Sequence, residues 1–156
     1  MPRWRWGSRG SSEVRVGFPV GGSSFFAAIE PFHGHQVVLY TENETDRGGL
    51  MTRTVIDEQL KSGHALRVVD LDGDGVEEIV AGFRDPTERG IGPGINVYKA
   101  SGAAALTKWE KHVIDDKGIA CEDLACDDLN ADGKIDIVAC GRATRNVRIY
   151  WNQGTK

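Results

Sequence analysis

The chain has 156 residues, 40% of them hydrophobic and 27% charged, with a formal charge of −4 at pH 7. That length makes one domain, and the composition excludes an unfolded tail. The acidic balance argues against a nucleic-acid partner, because neutralising phosphates needs a basic face. No apolar run approaches the ~20 residues of a membrane-crossing helix, so no membrane partner is expected. Twenty glycines against five prolines predict many tight turns and a mostly β protein. The three cysteines, Cys121, Cys126 and Cys140, form no disulfide framework and read as small buried or partly buried thiols.

Residues 1–12 are rich in Arg, Trp, Gly and Ser, unlike the rest of the chain. Their basic start lacks an apolar stretch, so they are not an intact signal peptide. They read as a non-native or disordered segment before a folded unit over 13–156, with Arg3-Trp4-Arg5-Trp6 a candidate edge strand. The first strand is expected over Val14–Phe18, stopped by Pro19 and joined through Gly21-Gly22-Ser23-Ser24 to strands over 25–32, 36–41 and 51–57. Only 57–62 has the pattern of a single helical turn. The next four strands fall over 65–70, 77–84, 95–99 and 108–115, and the last three over 122–128, 135–141 and 146–152.

These strands belong to a repeat. HALRVVDLDGDGVEEIVAGFRD (64–85) lies over EDLACDDLNADGKIDIVACGRA (122–143) without gaps, at an offset of 58. The same offset lays Met51–Asp57 over Trp109–Asp115 and Tyr40 over Tyr98. A weaker copy over 25–40 matches 134–150 and aligns Tyr40 with Tyr150. Three copies of about four short strands, with boundaries near 13–60, 61–118 and 119–156, have the length of β-propeller blades. The expected fold is all-β: about three four-stranded blades, the third without its outermost strand. Three blades cannot close a ring, so either the chain is a piece of a larger propeller or copies of it assemble into one, most simply a homodimer. The aligned tyrosines read as packing residues, and Trp109 and Trp151 as covers over blade surfaces.

In the middle copy Asp70, Asp72, Asp74 and Glu78 stand at loop positions 1, 3, 5 and 9, with glycine at position 6. In the last copy Asp128, Asn130, Asp132 and Asp136 repeat that register. Alternate side chains of a tight loop converge on one point, and the position-7 carbonyl, from Val76 or Lys134, adds a neutral oxygen. Hard oxygen donors in that number suit Ca²⁺ better than Mg²⁺ or Zn²⁺. A helical EF-hand is excluded, because position 12 is Ala81 or Ala139 and a strand comes after each loop. Two loops in one register argue against a merely solvated acidic turn. The ion's expected role is structural, neutralising carboxylates that would otherwise repel.

The acidic loops join first strands to second strands and so occupy one end of an up-and-down blade. His33, His35, His64, Arg84, Glu122, Asp123 and Arg142 fall at the other end. They form a candidate catalytic cluster. His33, His35 and His64 are candidate ligands of a second divalent metal such as zinc, and Glu122 a ligand or base beside Asp123. Arg84 and Arg142 suit a phosphate, carboxylate or sugar oxygen. The competing reading is ordinary loop polarity. His112 reads as a structural residue of an outer strand. No G-x-S-x-G, P-loop or Rossmann glycine pattern is present.

VDLDGDGVEEIVAG and DDLNADGKIDIVACG resemble the FG-GAP/VCBS repeat, the calcium-loop blade of integrin-α-like propellers, over about residues 25–152. GHAL before the first loop, EPFHG in the first copy and CEDL before the second loop are also similar to the aldos-2-ulose dehydratase-type branch. The first resemblance implies calcium-stabilised blades; the second implies propeller enzymes with metal ions that act on sugar derivatives. A full-length parent is expected to be extracellular or periplasmic. The chain departs from the family in its length, well under half a ring, and in its first copy, which lacks an acidic loop. Two functions stay open. One is a metal-dependent hydrolase or lyase acting on a small-molecule substrate: a phosphoester, an ester or a sugar derivative. The other is a non-catalytic calcium-binding interaction module.

Overall fold

The computed structural model describes residues 10–18, 24–42, 51–101, 106 and 108–154. The candidate edge strand at 3–6 and most of the Gly-Gly-Ser-Ser joint lie outside the described residues. Among the described residues there are eleven strands and no helix. The first sheet holds β1 (Ser12–Gly17), β2 (Phe25–Glu30), β3 (Gln36–Thr41) and β4 (Thr52–Asp57). The second holds β5 (Gly63–Val69), β6 (Glu78–Phe83), β7 (Gly94–Ala100) and β8 (Trp109–Asp116). The third holds β9 (Cys121–Asp127), β10 (Asp136–Gly141) and β11 (Asn146–Tyr150). Each is an antiparallel meander in chain order. The protein is therefore all-β, and its strands fall where alternation and β-branched runs place them. The expected helical turn is the exception: 57–62 is not helical, and Asp57 Oδ1 instead accepts the N–H of Gln59 at 2.8 Å.

The sheets stack through their first strands, with β5 touching both β1 and β9. Strand alternation sends the two faces of the middle sheet into separate cores. Leu66, Ile79, Ala81, Phe83 and Tyr98 meet Phe25, Ala27, Ile29, Val37 and Leu39 of the first sheet. Ala65, Val80, Ile95 and Val97 meet Cys121, Leu124, Ile137 and Ala139 of the third. Every residue of β6 is consequently buried. Each fully buried Ile, Leu or Phe contributes about 1.5–3 kcal/mol, so these two seams hold the stack together. The end sheets each keep an outer face. On the first, Val14, Ala28 and Val38 share a row, and Val16, Phe26 and Tyr40 share the next. On the third, Ala125, Val138 and Ile149 share a row, as do Asp123, Cys140 and Val147.

Two contacts recur at both seams. The first is an exchange of size. Ile29 packs where a Cβ on Gly63 would lie 2.9 Å from its side chain, and Cys121 packs where a Cβ on Gly82 would lie 2.3 Å from its sulfur. Gly63 and Cys121 are 58 apart in the chain, so large meets small at each seam with the partners reversed.

The second recurring contact is polar. Tyr98 Oη donates to Asp57 Oδ2 at 2.6 Å, and Lys111 Nζ approaches the same oxygen at 2.9 Å. At the next seam Tyr150 Oη donates to Asp115 Oδ2 at 2.8 Å, with Arg148 at 3.3 Å. Both aspartates are buried and lie at the end of the last strand of the preceding sheet. Burial and the adjacent Asp57 push the Tyr98 hydroxyl pKa well above its usual value. The aligned tyrosines are thus hydrogen-bond donors across seams as well as packing residues. Tyr40 instead donates to Glu30 of its own sheet, which also takes Arg53 at 2.7 Å. Burial alone would raise the pKa of Glu30, but its bonds from Tyr40, Arg53 and Ser11 outweigh this and hold it below the usual range.

Candidate functional site

The two acidic loops fold as replicas. Asp70 accepts the N–H groups of Gly73 and Gly75, at 2.8 and 2.9 Å. Asp128 accepts those of Asp132 and Gly133, at 3.1 and 2.8 Å. Asp72 and Asn130 each accept a bond from the residue two further on, as do Asp74 and Asp132. The position-6 glycines are left-handed, at φ 86° and 84°, as the reversal requires. Position 4 is left-handed too: Gly73 in one loop, but Ala131 at φ 60° in the other.

The loops differ in what their carboxylates do. Oxygens of Asp70, Asp72 and Glu78 lie within 4.8 Å of one another, an arrangement that could hold a metal ion. Glu78 is 2% exposed; its Oε2 accepts the Leu71 N–H at 2.8 Å, while its buried Oε1 has no hydrogen-bond partner. Burial pushes its carboxyl pKa up to about 7. A buried acceptor left unpaired is costly, and a cation among these hard oxygens would satisfy it. Asp74 lies outside the triad and is held by Lys99 at 2.9 Å. Lys99 also bonds Asp72 and comes within 4.0 Å of Glu78 Oε1. Its hydrogen bonds to Asp72 and Asp74 push its pKa above the usual range. Val76 is buried, with its N–H on Asp74.

In the second loop Asp136, one methylene shorter than Glu78, accepts from Leu129 N at 3.2 Å and Asn152 N at 2.8 Å. Both of its oxygens are satisfied. Asn130 replaces a charge, and Lys134 pairs with Asp132 at 2.9 Å. Among the described residues, Asp70, Asp72 and Glu78 are the one such group of three acidic, His or Cys side chains.

At the opposite end, the first strand of each sheet carries a bulge at the same place. Pairing slips between Ser12 and Val14, between Gly63 and Ala65, and between Cys121 and Asp123. The extra residues are Glu13, His64 and Glu122. A bulge leaves its residue out of the ladder and re-aims the side chain. His64 Nδ1 donates to the Glu122 carbonyl at 2.6 Å, and its Nε2 stands 3.6 Å from Glu122 Oε1. Arg84, directly after β6, donates to Glu122 Oε2 at 3.3 Å and to His33 Nδ1 at 3.4 Å.

His33 sits in the β2–β3 turn at φ 49°, stacked on Phe32 at 4.0 Å and 4.5 Å from the His64 ring. Burial, with His64 and Arg84 nearby, holds its imidazole below the ordinary pKa. His33, His64, Arg84 and Glu122 are therefore brought together, with the guanidinium standing between His33 and the carboxylate.

The other candidates are not bonded into this group, although His35 lines one cavity with His33 and Arg142 lines another with Arg84. His35 is exposed, and its backbone bonds Glu30 O and Leu60 N. Asp123 is exposed and lies 3.5 Å from Arg67. Arg142 lines this second depression together with Asp85 and Arg145. His112 is on β8, 3.8 Å from Glu110. Glu13 was not a sequence candidate; its signal is its place just before the apolar alternation of β1, the place His64 and Glu122 hold in β5 and β9. Cys121 is buried, its thiol pKa pushed up to about 12, and Cys126 is part-buried, whereas Cys140 is exposed on the outer face of the third sheet. No protein-family model matches the chain, and no curated protein matches it.

Proposed function

We propose that the three sheets are blades of a calcium-loop β-propeller of the FG-GAP/VCBS type whose mouth carries out acid–base chemistry on a small oxygenated substrate. In this reading calcium sits among Asp70, Asp72 and Glu78, with Asp74 and the Val76 carbonyl completing the shell once Lys99 withdraws. The second loop, Asp128, Asn130, Asp132 and Asp136 with the Lys134 carbonyl, takes a second ion. Both ions neutralise carboxylates and hold the hairpins; neither takes part in the reaction.

The observation that carries the chemistry is the His64–Glu122–Arg84–His33 cluster built on aligned bulges. His64 Nε2, with Nδ1 bonded to the Glu122 carbonyl, is the base. It would take a proton from water, for hydrolysis, or from a carbon next to a carbonyl, for elimination. Arg84 would stabilise the oxyanion that develops, and Glu122 would hold the imidazolium that forms. Arg142 and Arg145, beside Arg84, would hold an acidic substituent of a phosphoester, ester or sugar derivative. A divalent metal such as zinc at this end would use His33, His64 and Glu122, with Arg84 displaced from between them.

A second reading is a non-catalytic calcium-binding module. It is favoured by the position of the triad, which lies at the loop end and not at the mouth. Metal analysis of the purified protein, with a screen of activated esters, phosphoesters and ketosugars, separates the two. The enzyme reading expects turnover that falls at least a hundredfold in His64→Ala and Glu122→Ala, with calcium content and circular dichroism unchanged. Full turnover in both variants moves the chemistry elsewhere. Calcium alone and no turnover leaves the module.

A further inference from the structure

We propose that the depression between the second and third sheets binds the phosphoryl group of a small phosphate monoester. This narrows the acidic substituent of the proposed substrate to one chemistry, and so rests on that reading of the mouth, but it is tested by binding alone. Arg84, Arg142 and Arg145 line the depression with Asp85, Ala120 and Ala143. In a chain of net charge −4, three guanidiniums around one hollow are a local excess of positive charge. Its volume of about 420 Å³ falls within the ~300–1,000 Å³ of small-molecule sites, so an organic residue fits beside the phosphoryl group.

The repeat places two of the three cations. Arg84 and Arg142 are 58 apart, each directly after the second strand in chain order of its sheet. The Arg84 N–H donates to Ser62 O and the Arg142 N–H to Ala120 O, both at 3.2 Å, and Ser62 and Ala120 are again 58 apart. Both side chains therefore leave equivalent points of neighbouring sheets. Arg145 comes from the β10–β11 turn at φ 53°, a left-handed backbone that glycine adopts at less cost. That turn is pinned: Thr144 Oγ1 accepts the Ala120 N–H at 3.2 Å, and Asn146 Nδ2 donates to Gly118 O at 3.0 Å. A cation kept at a strained position of a pinned turn points to a ligand.

The arginines are also available. Arg142 and Arg145 are exposed, and the ion pairs among the described residues of this end, Arg67–Asp123 and Arg84–Glu122, involve neither. Asp85, the one carboxylate of the lining, is taken by Ser62 Oγ at 2.5 Å. Arg84 is held loosely, 3.3 Å from Glu122 Oε2 and 3.4 Å from His33 Nδ1. Guanidinium forks match phosphoryl and carboxylate oxygens alike, so the number of cations decides between them. A phosphoryl group brings three acceptor oxygens and about two charges, enough for three guanidiniums; a carboxylate brings two oxygens and a single charge.

Equilibrium dialysis of the full chain against radiolabelled inorganic phosphate at low ionic strength, with glycerol phosphate and acetate as competitors, tests this. Phosphate is expected to bind once per chain and to be displaced by glycerol phosphate, but not by acetate at the same concentration. Arg142→Gln and Arg145→Gln are each expected to weaken binding at least tenfold, with circular dichroism unchanged. Arg89→Gln removes the same charge from an exposed position on the other cavity and is expected to change affinity less than twofold. His64→Ala, which lacks the proposed base, is expected to bind phosphate as the wild type does. Turnover without phosphate binding would sink this site and spare the chemistry; phosphate binding without turnover would do the reverse. No saturable binding, equal displacement by acetate, an equal loss in Arg89→Gln, or phosphate that glycerol phosphate cannot displace each overturns the proposal.

Discussion

Lys99 places an ammonium among the same oxygens that a metal ion would use. It bonds Asp72 and Asp74 and approaches the unpaired oxygen of Glu78. In the repeat the position after Tyr98 corresponds to that after Tyr150, where Trp151 carries no charge. The first loop therefore has a counter-ion that reaches it from a neighbouring strand and bonds two of its carboxylates, whereas in the second loop Lys134 of the loop itself pairs with Asp132 alone. On the proposed reading calcium would have to displace it, so Lys99→Met is expected to tighten calcium binding at the first loop about tenfold, or ~1.4 kcal/mol. Affinity at the second loop should stay as it is. Titration calorimetry with the loops separated by Asp128→Ala measures this. An unchanged affinity would mean that the lysine swings away at no cost.

At the level of the strands, the seams depend on matched bulk. A side chain at Gly82 runs into the Cys121 sulfur and, at 3.2 Å, the Ala65 Cβ. Overpacking of this kind costs about 1–3 kcal/mol, so Gly82→Val is expected to destabilise by that amount. Adding Cys121→Gly recreates the order used at the other seam, large on the earlier sheet and small on the later. It is expected to recover more than half of the loss in denaturant unfolding, and strictly additive single-variant effects would count against the exchange. The strands themselves are legible in the sequence because alternation acts between neighbouring residues, and the loop register because ligand spacing is local. The seam tyrosines are only half legible: the repeat aligns them and their aspartates, but a bond such as Tyr98–Asp57 crosses 41 positions and depends on how the sheets stack. The bulges at Glu13, His64 and Glu122 are hidden for a different reason. One extra residue in a ladder shows only when the partner strand is known. The reach of Lys99 into a loop 27 residues earlier is equally tertiary.

For the molecule as a whole, calcium bound as proposed would be a ligand of the folded chain alone, since the unfolded chain has no converging loop. An ion at a hundred times its dissociation constant adds about 2.7 kcal/mol, which for a chain of this length raises the melting midpoint by about 5–10 °C. EGTA is expected to remove that increment, and Asp72→Ala about half of it, in a calorimetric scan. A melting curve indifferent to chelator would remove calcium from the account of stability. The seam bonds carry a further consequence, one of order in time. In each the acceptor precedes its donor in the chain, Asp57 by 41 residues and Asp115 by 35. A growing polypeptide leaving the ribosome must therefore present each carboxylate to water before the tyrosine that will cover it has been made. During synthesis the donor of the first seam therefore becomes available before that of the second, so the first seam can fasten while the third sheet is still being made.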